Sequence, residues 1–118
     1  MELKVINMKD VKALEPDAVR RSWLLVSEKT VGAENLSMGI NETYPGGMVP
    51  EHVHDTEEEI NFFFSGRGKL VAEGREIQLE AGVCILIPPK LPHSIVNDGD
   101  EVIRFMWIFA PQLAGHKK

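Results

Sequence analysis

Cysteine is nearly absent: Cys84 is the one cysteine among 118 residues, so no internal disulfide can form. The fold must rest on a packed core. A single domain of this length buries about two-thirds of its unfolded surface, which suffices without a covalent scaffold. Cys84 stands in the apolar run Val83-Cys84-Ile85-Leu86-Ile87 with no cation beside it. It is therefore expected as a small buried hydrophobe rather than a reactive thiol. No stretch approaches the ~20 apolar residues of a membrane-crossing helix. The opening Met1-Glu2-Leu3-Lys4-Val5-Ile6-Asn7 breaks off before a secretory apolar region can form, so a cytoplasmic setting is expected. Positive charge is sparse: 13 Lys and Arg against 18 Asp and Glu give a formal net charge of −5. Without a basic stripe, a nucleic-acid partner is not expected. Heptads, repeats and low-complexity segments are also missing.

What is present is a series of short apolar runs bounded by Gly, Pro, Asn or Asp, the punctuation of many short strands. No ten-residue helical pattern competes, and the fold class read from this is all-β. Strands are expected over 3–8, 21–28, 36–44, 51–54, 59–65, 69–73, 76–80, 83–87, 94–97 and 101–110. Residues 10–18 are ambiguous, since Asp10 can cap a short helical turn that Pro16 would end. Gly74-Arg75 marks a tight hairpin, and Thr30–Glu34 with Gly32 a turn. Pro88-Pro89-Lys90-Leu91-Pro92 is a stiff loop, because three prolines cannot serve a central ladder. One domain over 1–118 is expected, with an N-terminal arm over 1–35, a barrel over 36–110 and a tail over 111–118, frayed from Gly115.

Three of the four histidines fall in two places, His52 with His54 and, much later, His93. On a strand, residues two apart share a face, so His52 and His54 can present their imidazoles side by side. Pro50 biases Glu51 toward the extended backbone this needs. Imidazoles joined by one carboxylate suit a divalent transition ion such as Mn, Fe, Ni, Zn or Cu. A lone histidine is more often a satisfied structural side chain; an inward His-x-His pair leaves packing and metal binding both open.

At this point the chain resembles the cupin superfamily. The first cupin motif is Gly, five residues, His-x-His, three or four residues, Glu, six residues, Gly; here Gly46, His52-Val53-His54, Glu59 and Gly66 match it. The second is Gly, five residues, Pro-x-Gly, two residues, His, three residues, Asn; here Gly82, Pro88-Pro89-Lys90, His93 and Asn97 stand in that order. Fifteen residues, Arg67–Ala81, separate the motifs, the short spacing of small bacterial cupins. The resemblance implies a double-stranded β-helix, or jelly-roll barrel. It also implies one divalent metal ion per chain on His52, His54, Glu59 and His93. Glu57 and Glu58 are rivals for the acidic position. Glu58 fits the shorter spacing to His54 but breaks the spacing to Gly66, so Glu59 is preferred. Lys90 replaces the second motif glycine, so the loop before His93 can take another shape, and a lysine near the barrel mouth can meet an anionic ligand.

With Glu59 inward, strand parity sends Asn61 and Phe63 inward and Ile60, Phe62 and Phe64 outward. In the last strand, Ile103, Phe105, Trp107 and Phe109 face the barrel. Candidate pocket residues are Phe63, Lys90, Phe105 and Trp107. Tyr44 and Asn61 are candidates for a catalytic role, against packing and a structural hydrogen bond respectively. Trp23 belongs either to the pocket mouth or to a subunit contact. The outward apolar residues need cover, and cupins commonly dimerise by packing sheets and exchanging N-terminal strands, so a homodimer is expected.

Four protein ligands on an octahedral ion leave two positions for substrate oxygens or O₂. Lewis-acid isomerases, lyases and decarboxylases fit such a site, and so do metal-dependent dioxygenases. The expected activity is that of a metalloenzyme for a small polar or carboxylated metabolite. The alternatives are a small-molecule binding or sensing module without catalysis, and a structural cupin. No acid–base pair stands out beyond the four ligands, so the sequence leaves the reaction open.

Overall fold

The computed structural model describes residues 1–118. Ten strands carry the chain: β1 (Leu14–Asp17), β2 (Arg20–Val26), β3 (Ser37–Thr43), β4 (Met48–His52), β5 (Glu58–Ser65), β6 (Gly68–Ala72), β7 (Arg75–Leu79), β8 (Cys84–Ile87), β9 (His93–Val96) and β10 (Ile103–Ala110). Six form one sheet in the order β1-β2-β3-β10-β5-β8, and four form the other in the order β4-β9-β6-β7. Every pairing is antiparallel. The all-β reading holds, and the two sheets face each other as a double-stranded β-helix.

Alternation builds the core, as expected for sheets buried on one face. Along β10, Ile103, Phe105, Trp107 and Phe109 are buried, while Arg104, Met106 and Ile108 are half-buried on the other face. Along β5, Glu59, Asn61 and Phe63 point in, and Ile60 and Phe64 are exposed. Leu70, Leu79, Ile87 and Ile95 close the core from neighbouring strands. Gly39 on β3 sits under Trp107: a Cβ there would run into the indole ring and the Trp23 carbonyl.

A second, smaller cluster lies on the opposite face of the larger sheet. Trp23, Leu25 and Ile40 are covered there by Ile6, Met8, Val11 and Ala13. Trp23 therefore belongs to neither the pocket mouth nor an open surface.

Several expectations need correction. Residues 3–8 form no strand: the chain is irregular until Asn7 accepts the Lys9 N–H and starts a 3-10 turn over Met8–Asp10. A strand needs a ladder partner, and the free edge of β2 is taken by β1. Pro16 is tolerated in β1 because that strand lies at the sheet edge. The segment after β2 is a short helix, α1 (Glu28–Val31), with Ser27 and Thr30 capping each other and Gly32 left-handed at φ 76°. The hairpin turn is Glu73-Gly74, both at positive φ (51° and 72°), one residue earlier than read. Cys84 is exposed, because Ile85 and Ile87 take the inward parity of β8 and turn Cys84 and Leu86 outward.

The tail is not frayed. Residues Ala114–His116 form a 3-10 turn. Fully buried Gln112 anchors it, accepting the Glu28 N–H and donating to the Ala33 carbonyl. The Lys29 ammonium donates to the Gly115 carbonyl at 2.8 Å.

Candidate metal centre

His52 closes β4 directly opposite His93, which opens β9. His54 follows in the loop after β4, where its carbonyl accepts the Lys90 N–H at 2.7 Å. Glu59 enters from β5, in the other sheet. Thus the two sheets each contribute to one cluster, in which one donor atom from each of His52, His54, Glu59 and His93 lies within 4.8 Å of the others.

The hydrogen bonds around these residues aim them. His93 donates Nδ1–H to the Leu91 carbonyl at 2.8 Å, and His52 donates Nδ1–H to the Pro50 carbonyl at 2.8 Å. Both contacts put a proton on Nδ1 and turn Nε2 toward the cluster, the nitrogen that would bind a metal in place of its proton. Glu59, 6 % exposed, receives the Asn61 amide on Oε2 at 2.9 Å. Its Oε1 is 3.1 Å from His93 Nε2 and 3.7 Å from His54 Nε2.

His54 Nε2 is buried without a hydrogen-bond partner. A buried, unpaired polar atom is costly, and a cation at the centre of the cluster would satisfy it. Two ligands bonded at ~2.1 Å to one ion lie about 3–4.2 Å apart, close to the spacing seen here. The donor set, the tautomers and the orphaned nitrogen all fit a divalent transition ion. Burial lowers the His54 pKa, despite the opposing pull of Glu59. Burial also acts against the charged form of His93, but the Glu59 hydrogen bond and the Leu91 carbonyl overcome it and raise that pKa.

Above the cluster opens a cavity of about 160 Å³. Its walls include Val49, Ile95, Phe105, Trp107, Phe109 and Leu113, with Asn41, Asn61 and His116 among the polar groups. A space of that size holds about one benzene-sized group.

The structure thus brings Asn61, Phe105 and Trp107 to the cavity above the four candidate ligands, and leaves three other candidates outside it. Phe63 is fully buried in the core against Phe105. Tyr44 lies by the Arg21 guanidinium, 6.0 Å from its ring centre. Lys90 is exposed and pairs with Asp55 at 3.1 Å. Its φ of 69° is the left-handed conformation a glycine would adopt without strain. Glu57 is engaged by Thr56, and Glu58 is exposed.

Asn41 and His116 were missed. Asn41 sits at an inward position of β3 and accepts the Thr43 hydroxyl at 2.7 Å, a pairing visible only once the strand's parity is set. His116 is the fourth histidine, and its signal was masked by the polar tail around it. Its ring stacks on Trp107 at 5.3 Å, and its Nδ1 lies 2.8 Å from Ser37 Oγ.

The model of the cupin domain family matches residues 40–109. The chain belongs to the cupin family. It is 34% identical over 104 residues to the polyketide synthase protein CurC of Streptomyces cyaneus, covering 86% of this chain and 68% of that protein. The polyketide cyclase RemF of Streptomyces resistomycificus has a similar structure, with a TM-score of 0.80 and 27% identity, covering 92% of this cupin and 80% of that chain. A glucose-6-phosphate isomerase of Pyrococcus abyssi is 30% identical over 115 residues; the match takes in 86% of this cupin and only 59% of the isomerase.

Proposed function

We propose that this cupin is a metalloenzyme that moves a proton next to a carbonyl group of a small, oxygen-rich or carboxylated metabolite, in the manner of an isomerase, lyase or cyclase. The observation that carries the reading is the convergence of three imidazoles and a carboxylate, with Glu59 and His93 buried, at the base of a cavity sized for a small molecule. Two similar proteins carry the names polyketide cyclase and glucose-6-phosphate isomerase, which supports a reaction of this class. One divalent ion held by His52, His54, Glu59 and His93 would supply Lewis acidity toward substrate oxygens. Asn61 fixes the Glu59 carboxylate, while Phe105, Trp107 and Phe109 exclude water and bound the substrate.

The test is elemental mass spectrometry on untagged protein beside a His52→Ala/His93→Ala variant. Near one equivalent of metal, lost in the variant, is expected. No metal after reconstitution would end the metalloenzyme reading and leave a binding module. Iron, copper, nickel or manganese would bring oxygen-uptake assays forward, because dioxygenation needs a redox-active ion; zinc alone would favour isomerases and lyases.

The same proposal includes a homodimer. Residues 6–13 cover the outer face of the larger sheet over β2 and β3 but not over β5 and β8. There Ile60, Phe64, Cys84 and Leu86 remain exposed beside half-buried Phe62. Light scattering should give twice the chain mass, and Phe64→Glu with Leu86→Glu should return it to one chain; a monomeric wild type would refute the dimer.

A further inference from the structure

Five titratable side chains line the cavity: His52, His54, Glu59, His93 and His116. The first four form the metal-ligating cluster, and His116 is outside it. Asn41 and Asn61 do not titrate, and Tyr44 and Lys90 lie elsewhere. The site therefore holds one group free to take and give protons.

We propose that His116 is the catalytic base of this site, its Nε2 taking and returning the proton next to the substrate carbonyl. The inference rests on the function proposed above and assigns that function its missing residue.

The ring is placed for this work. Its only side-chain hydrogen bond joins Nδ1 to Ser37 Oγ, and Ser37 is fully buried. In the tautomer that donates Nδ1–H to that oxygen, the one the proposal requires, the lone pair stands on Nε2. Stacking on Trp107, itself a cavity wall, holds the ring plane. Behind it, the Gln112 and Lys29 hydrogen bonds and the His116 N–H to Leu113 carbonyl bond brace the backbone. Burial lowers the His116 pKa, and Lys29 and His54 add to the effect, which favours the neutral imidazole that can accept a proton. In the step, the substrate C–H bond breaks, an N–H bond forms at Nε2, and the electron pair stays in the substrate as its enolate. Return of the proton to the same or the adjacent carbon restores the neutral imidazole. Where the Nε2 proton is replaced by one from solvent before it returns, the visit to the enolate is recorded as exchange.

Pyruvate is a suitable probe. It offers a carboxylate and a keto oxygen, fits the cavity, and exchanges its methyl protons for deuterium through its enol form. Exchange would be followed by proton NMR in D₂O for metal-loaded wild type, His116→Gln, Ser37→Ala and His52→Ala. Metal content and pyruvate half-saturation would be measured on each. Wild type should exceed the buffer rate. His116→Gln should keep its metal and its half-saturation within about threefold while its maximal rate falls ~100-fold or more. Ser37→Ala, which removes only the partner of Nδ1, should lose about tenfold. Full-speed exchange in His116→Gln, with His52→Ala inactive, would overturn the role of His116 and leave the proposed function standing. Loss of half-saturation in parallel with rate would make the residue structural and likewise overturn it. Should His116→Gln not fold, an unchanged maximal rate in Ser37→Ala would decide against the proposal. A metal-loaded wild type no faster than buffer would sink both the function and the base.

Discussion

The two ends of this chain reverse what their compositions suggest. Residues 1–5 alternate apolar and polar side chains as a strand does, yet residues 1–7 join no sheet, and Leu3 and Val5 are 94% and 88% exposed. Residues 111–118 are short, polar and rich in lysine, yet Gln112 is 2% exposed and His116 lines the cavity. Alternation makes a strand possible, but only an unpaired edge makes one form, and β1 already occupies the edge of β2. Conversely, a polar segment packs when each of its polar groups finds a partner, as Gln112 does with Glu28 and Ala33.

This contrast can be broken most forcefully at Gly39. Gly39→Ala drives a methyl into Trp107, the ring on which His116 rests, and should cost about 3 kcal/mol in urea unfolding. A cost near zero would mean that Trp107 moves freely and that the C-terminal segment is not braced from below. A smaller effect should come from comparing the ends directly. Gln112→Ala leaves the Glu28 N–H and the Ala33 carbonyl unpaired and should cost about 2 kcal/mol, whereas Leu3→Ser with Val5→Ser should change stability by less than about 0.5 kcal/mol. Hydrogen exchange sharpens the point: the His116 and Lys118 amides, both bonded, should be protected, and those of residues 2–6 should not. Equal protection at both ends would mean that the arm is ordered in solution, as strand exchange in a dimer would require.

Much of the fold was legible because β-structure writes itself locally. The alternation in β5 and β10 assigns Glu59, Asn61, Phe63, Phe105, Trp107 and Phe109 to the inside, and each is buried there. Cys84 shows the limit of the same rule. A run of five apolar residues carries no alternation, so its parity was set by Ile85 and Ile87 packing on the core. The turn at Glu73-Gly74 shows another, since either residue of such a pair can begin the next strand until the register with β6 is known.

By itself, the sequence determined the all-β class and the family, because strand parity and motif spacing are short-range properties; the resemblance then implied the set His52, His54, Glu59 and His93, which the two sheets bring together. Only the tertiary structure decided which apolar surfaces are covered, that Lys90 turns away to Asp55, and that His116 comes back to the cavity. Those outcomes depend on which distant segments meet. His116 reaches the site through Ser37 and Trp107, partners 79 and 9 residues away along the chain, and no local pattern encodes such a meeting.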